Sequence, residues 1–265
     1  MQTIVIDTID GIAQLVFEQQ RNDQNGRYRS SYMYRGMPDV SYDLQTSLNR
    51  NCGEKAPILE KHLLDNFTKY ASIEDPTIND SIWKAMILGQ HHGLPTRLLD
   101  WTHSTIVALH FATTEGNLAD LDKRDCVVWR IDAKELNKYL PGKYREALES
   151  KSTFVFSIDR LTEIAKSIDE YDNDMNSSSF VIVEPPSIDQ RIVNQYSFFS
   201  IIPKGMGNLE EYLSCTPNTV KYIISKELRW DLRDLLDQMN MNERMIYPGL
   251  DGIAKWLARH YYVKQ

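Results

Sequence analysis

Cysteine is scarce in this chain, with three residues among 265, at positions 52, 126 and 215. Their spacing contains no CxxC pair and no zinc-ligand pattern. An odd and sparse set of cysteines is usual in the reducing cytosol and argues against a disulfide-stabilised secreted domain. We interpret all three as small buried hydrophobic residues.

Long hydrophobic runs are also missing. The first twenty residues, MQTIVIDTIDGIAQLVFEQQ, lack the basic segment and the long apolar segment of a signal peptide. No window approaches the roughly 20 apolar residues that a membrane span requires. The sequence therefore predicts a soluble, cytoplasmic protein with no membrane partner.

Positive charge is in deficit, with 30 Lys and Arg against 37 Asp and Glu, a net charge of −7. Nucleic-acid phosphates require Lys and Arg, so non-specific nucleic-acid binding is unlikely, although a local basic groove is not excluded. The phosphate-binding P-loop, GxGxxG after a strand, the GxSxG elbow and HExxH are all missing. These absences exclude the standard nucleotide, hydrolase and zinc-protease signatures.

The patterns that are present predict an α+β fold, with N-terminal and interspersed helices around a small mixed β-sheet. Apolar spacing predicts helices over residues 8–20, 56–71, 81–91, 157–168, 226–239 and 249–262, with another starting near Ile106. Strands are predicted over residues 31–36, 126–132, 180–186, 191–202 and 220–225, and loops over 37–51 and 171–179. No composition shift divides the chain, so residues 1–265 are expected to form one domain.

The segment Gln90–Thr102, QHHGLPTRLLDWT, has more polar residues than a core segment needs. Its adjacent pair His91 and His92 does not predict a metal site, because zinc needs three or four converging donors and neighbours on a helix point about 100° apart. A structural role and a role in substrate binding or proton transfer both remain open. Asp80 and Gly93 are the expected start and end signals of the preceding helix.

Three further residues in this segment allow two interpretations each. Arg97 and Asp100 lie three positions apart, so they form either a local structural salt bridge or a ligand clamp. Trp101 is either a core residue or a stacking surface for a ligand base. Upstream, Arg35 could bind phosphate through its guanidinium fork while Gly36 lets the backbone approach a ligand, or both could belong to an ordinary surface turn.

Four motifs in order resemble the FRG domain family. They are Tyr34-Arg35-Gly36, the long stretch GQHHGLPTRLLDWTHSTIVALHFAT at 89–113, RIVNQYSFF at 191–199 and MIYPGLDGIAKWL at 245–257. Together they cover about residues 31–257. Departures from the family pattern are mild: tyrosine replaces phenylalanine at 34 and 247, and Tyr196-Ser197 stands where a glycine is frequent.

A more distant resemblance is to ADP-ribosyltransferases of the Arg-Ser-Glu type. It rests on an early aromatic strand ending in Arg-Gly, a short strand leading into an ALHFA helix, and a late strand with Gln195. The resemblance implies NAD as substrate, bound by Tyr34, Arg35, Gly36, Gln90, His91, Arg97, Trp101 and Thr102. It implies catalytic roles for His92, Asp100 and Gln195. It also requires that Arg35, His91, His92, Arg97 and Asp100 converge on one cleft beside the strand that carries RIVNQ.

The position of Gln195 limits this interpretation. Transfer from NAD develops positive charge on the ribose, which a carboxylate stabilises and an amide does not. Another acid, Asp100 or Glu184, would have to replace it. Three functions follow: an NAD-dependent transferase acting on an unknown macromolecule, as a toxin or phage-defence effector; a non-catalytic nucleotide- or protein-binding module; or a nuclease or other hydrolase using His and Asp.

Overall fold

The computed structural model of the chain describes residues 1–19, 21–22 and 26–264. The strands are β1 Gln2–Ile6, β2 Arg21–Asn22, β3 Arg27–Tyr28, β4 Tyr32–Met37, β5 Leu98–Thr102, β6 Cys126–Asp132, β7 Phe156–Ser157, β8 Val181–Glu184, β9 Ser197–Ile201 and β10 Val220–Ile224. The helices of the first half are α1 Ile9–Val16, α2 Ser47–Cys52, α3 Ala56–Ala71, α4 Ile82–His91, α5 Thr105–Ala112, α6 Ala133–Asn137 and α7 Gly142–Glu149. Those of the second half are α8 Ile158–Ile164, α9 Ile168–Met175, α10 Gln190–Gln195, α11 Leu209–Ser214, α12 Arg229–Gln238, α13 Glu243–Ile246 and α14 Leu250–His260.

Eight strands form one mixed sheet in the order β1-β10-β6-β4-β5-β9-β8-β7, and β2 pairs with β3 separately. The β1–β10 and β7–β8 pairs are parallel, and the remaining neighbours are antiparallel. This arrangement confirms the predicted α+β class with helices interspersed around a mixed sheet. The sheet is larger than the predicted one, because β1 and β7 were not among the expected strands and β5 was expected only from the transferase resemblance.

Helices cover both faces of the sheet, as the alternation along β4 illustrates. Met33 and Met37 join one core cluster, which includes Trp129 of β6, whereas Tyr32 and Tyr34 join the cluster on the other face, with Leu109 of α5. A third cluster packs α4, α7, α8 and α9 against β5, β8 and β9. Side chains alternate between faces along each strand, so both faces are buried in the middle of the sheet.

Local capping explains the boundaries around the polar segment. Helix α4 begins after Ser81, whose hydroxyl accepts from the Lys84 amide, so the prediction of Asp80 as the cap was wrong. Gly93 has φ +89, the left-handed conformation expected where α4 ends. Ser104 caps α5 by accepting from the Val107 amide at 3.3 Å.

Two predicted elements were wrong, the first in its type and the second in its extent. Residues 191–202 are not one strand: Asp189 accepts from the Ile192 amide and starts α10, and left-handed Tyr196, φ 49, ends it before β9. The loop predicted over 171–179 begins only at Asn176, because α9 runs through Met175 and buries Tyr171 and Met175 one turn apart. Polar residues between these two positions hid the helical spacing.

Other boundaries differ by smaller amounts. The helix predicted over 8–20 ends at Val16, and position 20 lies outside the described residues. The helix predicted over 157–168 ends at Ile164, and the predicted loop 37–51 contains most of α2. Of the cysteines, which are all free thiols, Cys126 is buried but Cys215 is exposed, so the expectation that all three are buried was wrong.

Within the described residues, none of the helices combines the length and the apolar character needed to cross a membrane.

Candidate functional site

A cleft opens in the sheet where β4 and β5 diverge. These strands share one register pair, Tyr34 with Thr102, whereas β4 pairs with β6 through six residues and β5 with β9 through five. The resulting cavity has a volume of about 200 Å³. We call it the β4–β5 cleft, and its lining residues are Tyr34, Arg35, Gly36, Asp100, Trp101, Thr102, Phe111, Arg191, Gln195 and Ser197.

Arg35 and Asp100 meet across the β4–β5 cleft although they are 65 positions apart. Arg35 Nη1 donates to the Asp100 carbonyl oxygen at 2.9 Å and lies 3.3 Å from carboxylate oxygen Oδ2. Gln90 Nε2 lies 3.3 Å from the same carboxylate oxygen. The Gln90 amide is oriented because its Oε1 accepts from the Thr96 hydroxyl at 2.7 Å. The Asp100 carboxylate therefore faces two donors and still has a side chain 57% exposed.

The glycine of the Tyr34-Arg35-Gly36 motif is required by packing. A Cβ at Gly36 would lie 1.8 Å from the Ala108 carbonyl oxygen and 2.6 Å from the Ala112 nitrogen, both in the backbone of α5. Carbon and oxygen atoms cannot approach so closely. Close approach of the backbone to helix α5, and not only to a ligand, thus explains why position 36 has no side chain.

Helix α10 supplies the other wall of the β4–β5 cleft. Gln195 lies at its last position, where Nε2 donates to the Ile246 carbonyl at 3.1 Å. Arg191 lies one turn earlier and places its guanidinium carbon 5.2 Å from the centre of the Tyr247 ring. Arg191, Phe111 and Ser197 also line the cleft but were not predicted as site residues from the sequence. The RIVNQ motif begins with Arg191, and on a helix its spacing of four from Gln195 puts both on one face.

Arg97 lies outside the β4–β5 cleft, contrary to the sequence-based grouping. Its Nε donates to Glu60 Oε1 at 2.6 Å, and Nη1 donates to Asp172 Oδ1 at 2.5 Å. Burial by itself would lower the pKa of Arg97, but the hydrogen bonds and charges of Glu60 and Asp172 outweigh it and raise the pKa. In an extended segment, positions three apart project to opposite sides, so Arg97 and Asp100 form no local pair.

The histidine pair also lies outside the lining of the β4–β5 cleft. His91 Nε2 pairs with the Asp189 carboxylate, which joins the end of α4 to the start of α10. Burial lowers the pKa of His91, an effect that the Asp189 charge opposes. His92 is exposed at the C-terminal cap of α4. Among the described residues, no group of three or more His, Cys, Asp or Glu is placed to hold a metal ion.

Three motif residues border the β4–β5 cleft but are mostly enclosed. The Trp101 side chain is 2% exposed and its indole donates to Ser200 Oγ at 3.0 Å, so it is a core residue. Tyr34 is fully buried, and burial raises the pKa of its hydroxyl. Thr102 accepts from the Ser104 amide at 3.1 Å, which fixes the turn into α5. These residues shape the cleft, while the lining residues with partly or fully exposed polar side chains are Arg35, Asp100, Arg191, Gln195 and Ser197.

Comparison with known proteins agrees with the resemblance for the first part of the chain. Residues 30–120 match the model of the FRG domain, a range that includes β4, β5 and α5 and stops before α10. Neither the curated proteins nor the solved structures contained a match to the chain. The family match therefore covers residues 30–120, which are 91 of the 265 residues of the chain.

Proposed function

We propose that the protein is an NAD-dependent ADP-ribosyltransferase that binds NAD in the β4–β5 cleft and transfers ADP-ribose to a macromolecule. The supporting observation is the adjacency of β4, β5 and β9 in the sheet. Strand β4 carries the Arg-Gly element, β5 leads into the ALHFA helix, and β9 directly follows the helix that ends at Gln195. These are the three elements of the transferase resemblance. Arg35, Thr102 and Gln195 are far apart in sequence, yet all three line the same cavity.

The residues present suit the anionic part of NAD. The cleft lining contains two guanidinium groups, of Arg35 and Arg191, and one carboxylate, of Asp100, so it has a local charge of +1 in a chain with a net charge of −7. Arginine forks match phosphate oxygens in geometry and charge. The cavity of about 200 Å³ is smaller than the roughly 300–1,000 Å³ of most ligand pockets. NAD would therefore extend beyond it, over the exposed Asp100 side.

In the proposed reaction the bond between ribose C1′ and the nicotinamide nitrogen breaks, and its electron pair leaves with nicotinamide. The acceptor nucleophile bonds to C1′ and loses its proton. Positive charge develops on the ribose as the bond breaks, and a nearby carboxylate stabilises it. Asp100 is the acid in the cleft lining that can do this, because the amide of Gln195 is uncharged. Glu184 is not among the lining residues.

The test is release of free nicotinamide from NAD by the purified protein, measured by chromatography with and without a cell lysate as the source of acceptor. We expect release by the wild type and at least a tenfold lower rate for Asp100→Asn, since one electrostatic group is worth roughly 10²–10³ in rate. Asp65→Asn, which changes an exposed carboxylate on α3, is the matched control. No release under either condition, or equal rates for the two variants, would contradict the proposal.

A non-catalytic nucleotide-binding module is the second candidate. The contacts of Asp100 favour this candidate. Its carboxylate already accepts from Arg35 and Gln90, so it is not free to stabilise a charge on the ribose. In that case NAD raises the melting temperature of the protein but stays intact, since binding to the folded state alone stabilises it. A melting-temperature increase accompanied by nicotinamide release would support the transferase instead.

A further inference from the structure

We infer that Arg191 is a second phosphate-binding residue of the β4–β5 cleft and holds the anionic part of the ligand together with Arg35. The identity of that ligand as a dinucleotide rests on the proposed function, whereas the binding of a phosphate group by Arg191 does not. The inference goes beyond the FRG-domain match, because α10 lies outside residues 30–120.

Among the arginines whose side chains the structure describes, those that are not exposed are hydrogen-bonded to acceptors, with one exception. Arg35, Arg97, Arg130, Arg229, Arg233 and Arg259 each contact a carboxylate, and Arg160 donates to the Ala147 carbonyl. Arg191 is half-buried, and its guanidinium makes no hydrogen bond or ion pair with the residues that the structure describes. Arg191 therefore has free N–H donors in the lining of the cleft, where phosphate oxygens of a ligand can accept from them.

The surroundings of Arg191 hold it in place without neutralising it. Its guanidinium lies over the Tyr247 ring, a cation–π contact that leaves the N–H donors free for another partner. Helix α10 is attached at both ends, by Asp189 to His91 on α4 and by Gln195 to the Ile246 carbonyl. Because the ring contact and the attached helix already restrict the Arg191 side chain, it loses less conformational entropy when it binds a ligand.

Arg35 contributes an independent indication that an acceptor belongs in the cleft. Its Nη1 is occupied by Asp100, but its Nε is buried and has no hydrogen-bond partner among the described residues. Seven buried side-chain atoms among the described residues have no partner, and two of them, Tyr34 OH and Arg35 Nε, belong to residues of the cleft lining. A phosphate group with several oxygens can accept from Arg191 and Arg35 at once.

The experiment is titration calorimetry with ADP-ribose and, separately, with inorganic pyrophosphate. We expect Arg191→Gln to raise the Kd of both probes roughly tenfold to a hundredfold, as for loss of a charge-assisted hydrogen-bonding group. Lys255→Gln is the matched control, because the Lys255 ammonium lies 4.8 Å from the same Tyr247 ring but is not in the cleft lining. We expect it to change the Kd less than twofold.

Several outcomes would overturn the role of Arg191. They are a Kd for Arg191→Gln within twofold of wild type, an equal loss in Lys255→Gln, or no binding of either probe by the wild type at millimolar concentration. Arg191→Lys, which keeps the charge without the fork, should bind more weakly than wild type but more tightly than Arg191→Gln. Circular dichroism must show the same fold in all variants. The release of nicotinamide tests the transferase proposal separately. If pyrophosphate binding depends on Arg191 but no nicotinamide is released, the anion site is supported and the transferase activity is contradicted.

Discussion

Replacement of Gly36 by alanine tests whether this motif glycine serves packing. The added methyl carbon would lie 1.8 Å from the Ala108 oxygen and 2.6 Å from the Ala112 nitrogen. Both atoms belong to the backbone of α5, so a change of side-chain rotamer cannot relieve the overlap. Strand β4 is fixed on its other side by six register pairs with β6, so α5 must move away from the sheet.

The expected cost follows from two opposing effects. Inserting one carbon into a packed core usually destabilises by about 1–3 kcal/mol, and more where the backbone must shift. Alanine also restricts the unfolded chain, which stabilises by about 0.4–1 kcal/mol. Because the overlap at Gly36 is with backbone, the cost lies at or above the upper end of that range. We therefore expect a net loss of about 2–3 kcal/mol, which lowers the melting temperature by roughly 5–10 °C in a chain of this size.

The assay is thermal unfolding followed by circular dichroism, with Gly116→Ala as the control. A Cβ at Gly116 meets no atom within 4 Å, and its φ is not positive, so this variant should melt within about 2 °C of wild type. Equal melting temperatures for Gly36→Ala and Gly116→Ala would refute the packing explanation. A Gly36→Ala protein that is stable but binds no ADP-ribose would instead assign the glycine to ligand approach.

Two further predictions concern buried charges. Arg97→Leu leaves Glu60 and Asp172 without their cation, and we expect a loss of about 3–5 kcal/mol in urea unfolding at pH 7. His110 is fully buried beside Arg233, and burial together with that positive charge lowers its pKa from 6.5 to about 3. Between pH 6.5 and pH 3 the unfolded chain binds a proton at His110 that the folded protein does not bind. The free energy of unfolding therefore decreases as the pH falls through this range, by up to about 1.4 kcal/mol per pH unit. His110→Gln should reduce this slope in urea unfolding measured between pH 7 and pH 5.

Each of these predictions has a control on the surface. Arg145→Leu removes an exposed arginine of α7 and should change the free energy of unfolding by less than about 0.5 kcal/mol. An equal effect of Arg97→Leu would show that its ion pairs contribute nothing. His62→Gln changes an exposed histidine of α3 and should leave the pH slope as in the wild type. An unchanged slope in His110→Gln would contradict a neutral, buried imidazole.

Regular local patterns were readable from the sequence. Helix α3 and strand β6 have the predicted bounds, because α3 has a clear helical apolar period and β6 is a short, nearly continuous apolar run. The prediction of a strand at RIVNQ was wrong, because the six residues of α10 have mixed polarity and fit a strand and a helix equally well. The cap at Asp189 and the left-handed Tyr196 decided for the helix. Positions four apart share a face in a strand too, but the helix brings Arg191 and Gln195 to about 6 Å of axial rise instead of about 13 Å.

The site was predictable only in part. The polar segment and the early Arg-Gly motif indicated the right region, and the structure brings Arg35, Gln90 and Asp100 together there. The sequence could not show that Arg97 pairs with Glu60 and Asp172, because those partners lie 37 and 75 positions away. Nor could it show that His91 is paired with Asp189 and thereby attached to α10.

The sequence alone determined which residue types were available: two histidines, an arginine and an aspartate near one helix end, and an arginine before a glycine. Tertiary structure decided which of them share a cavity, since β4 and β5 are neighbours that separate after a single register pair. Helix periods and caps depend on residues a few positions apart, so they can be read along the chain. Strand neighbours and buried ion pairs depend on the packing of the whole sheet, which local sequence does not specify.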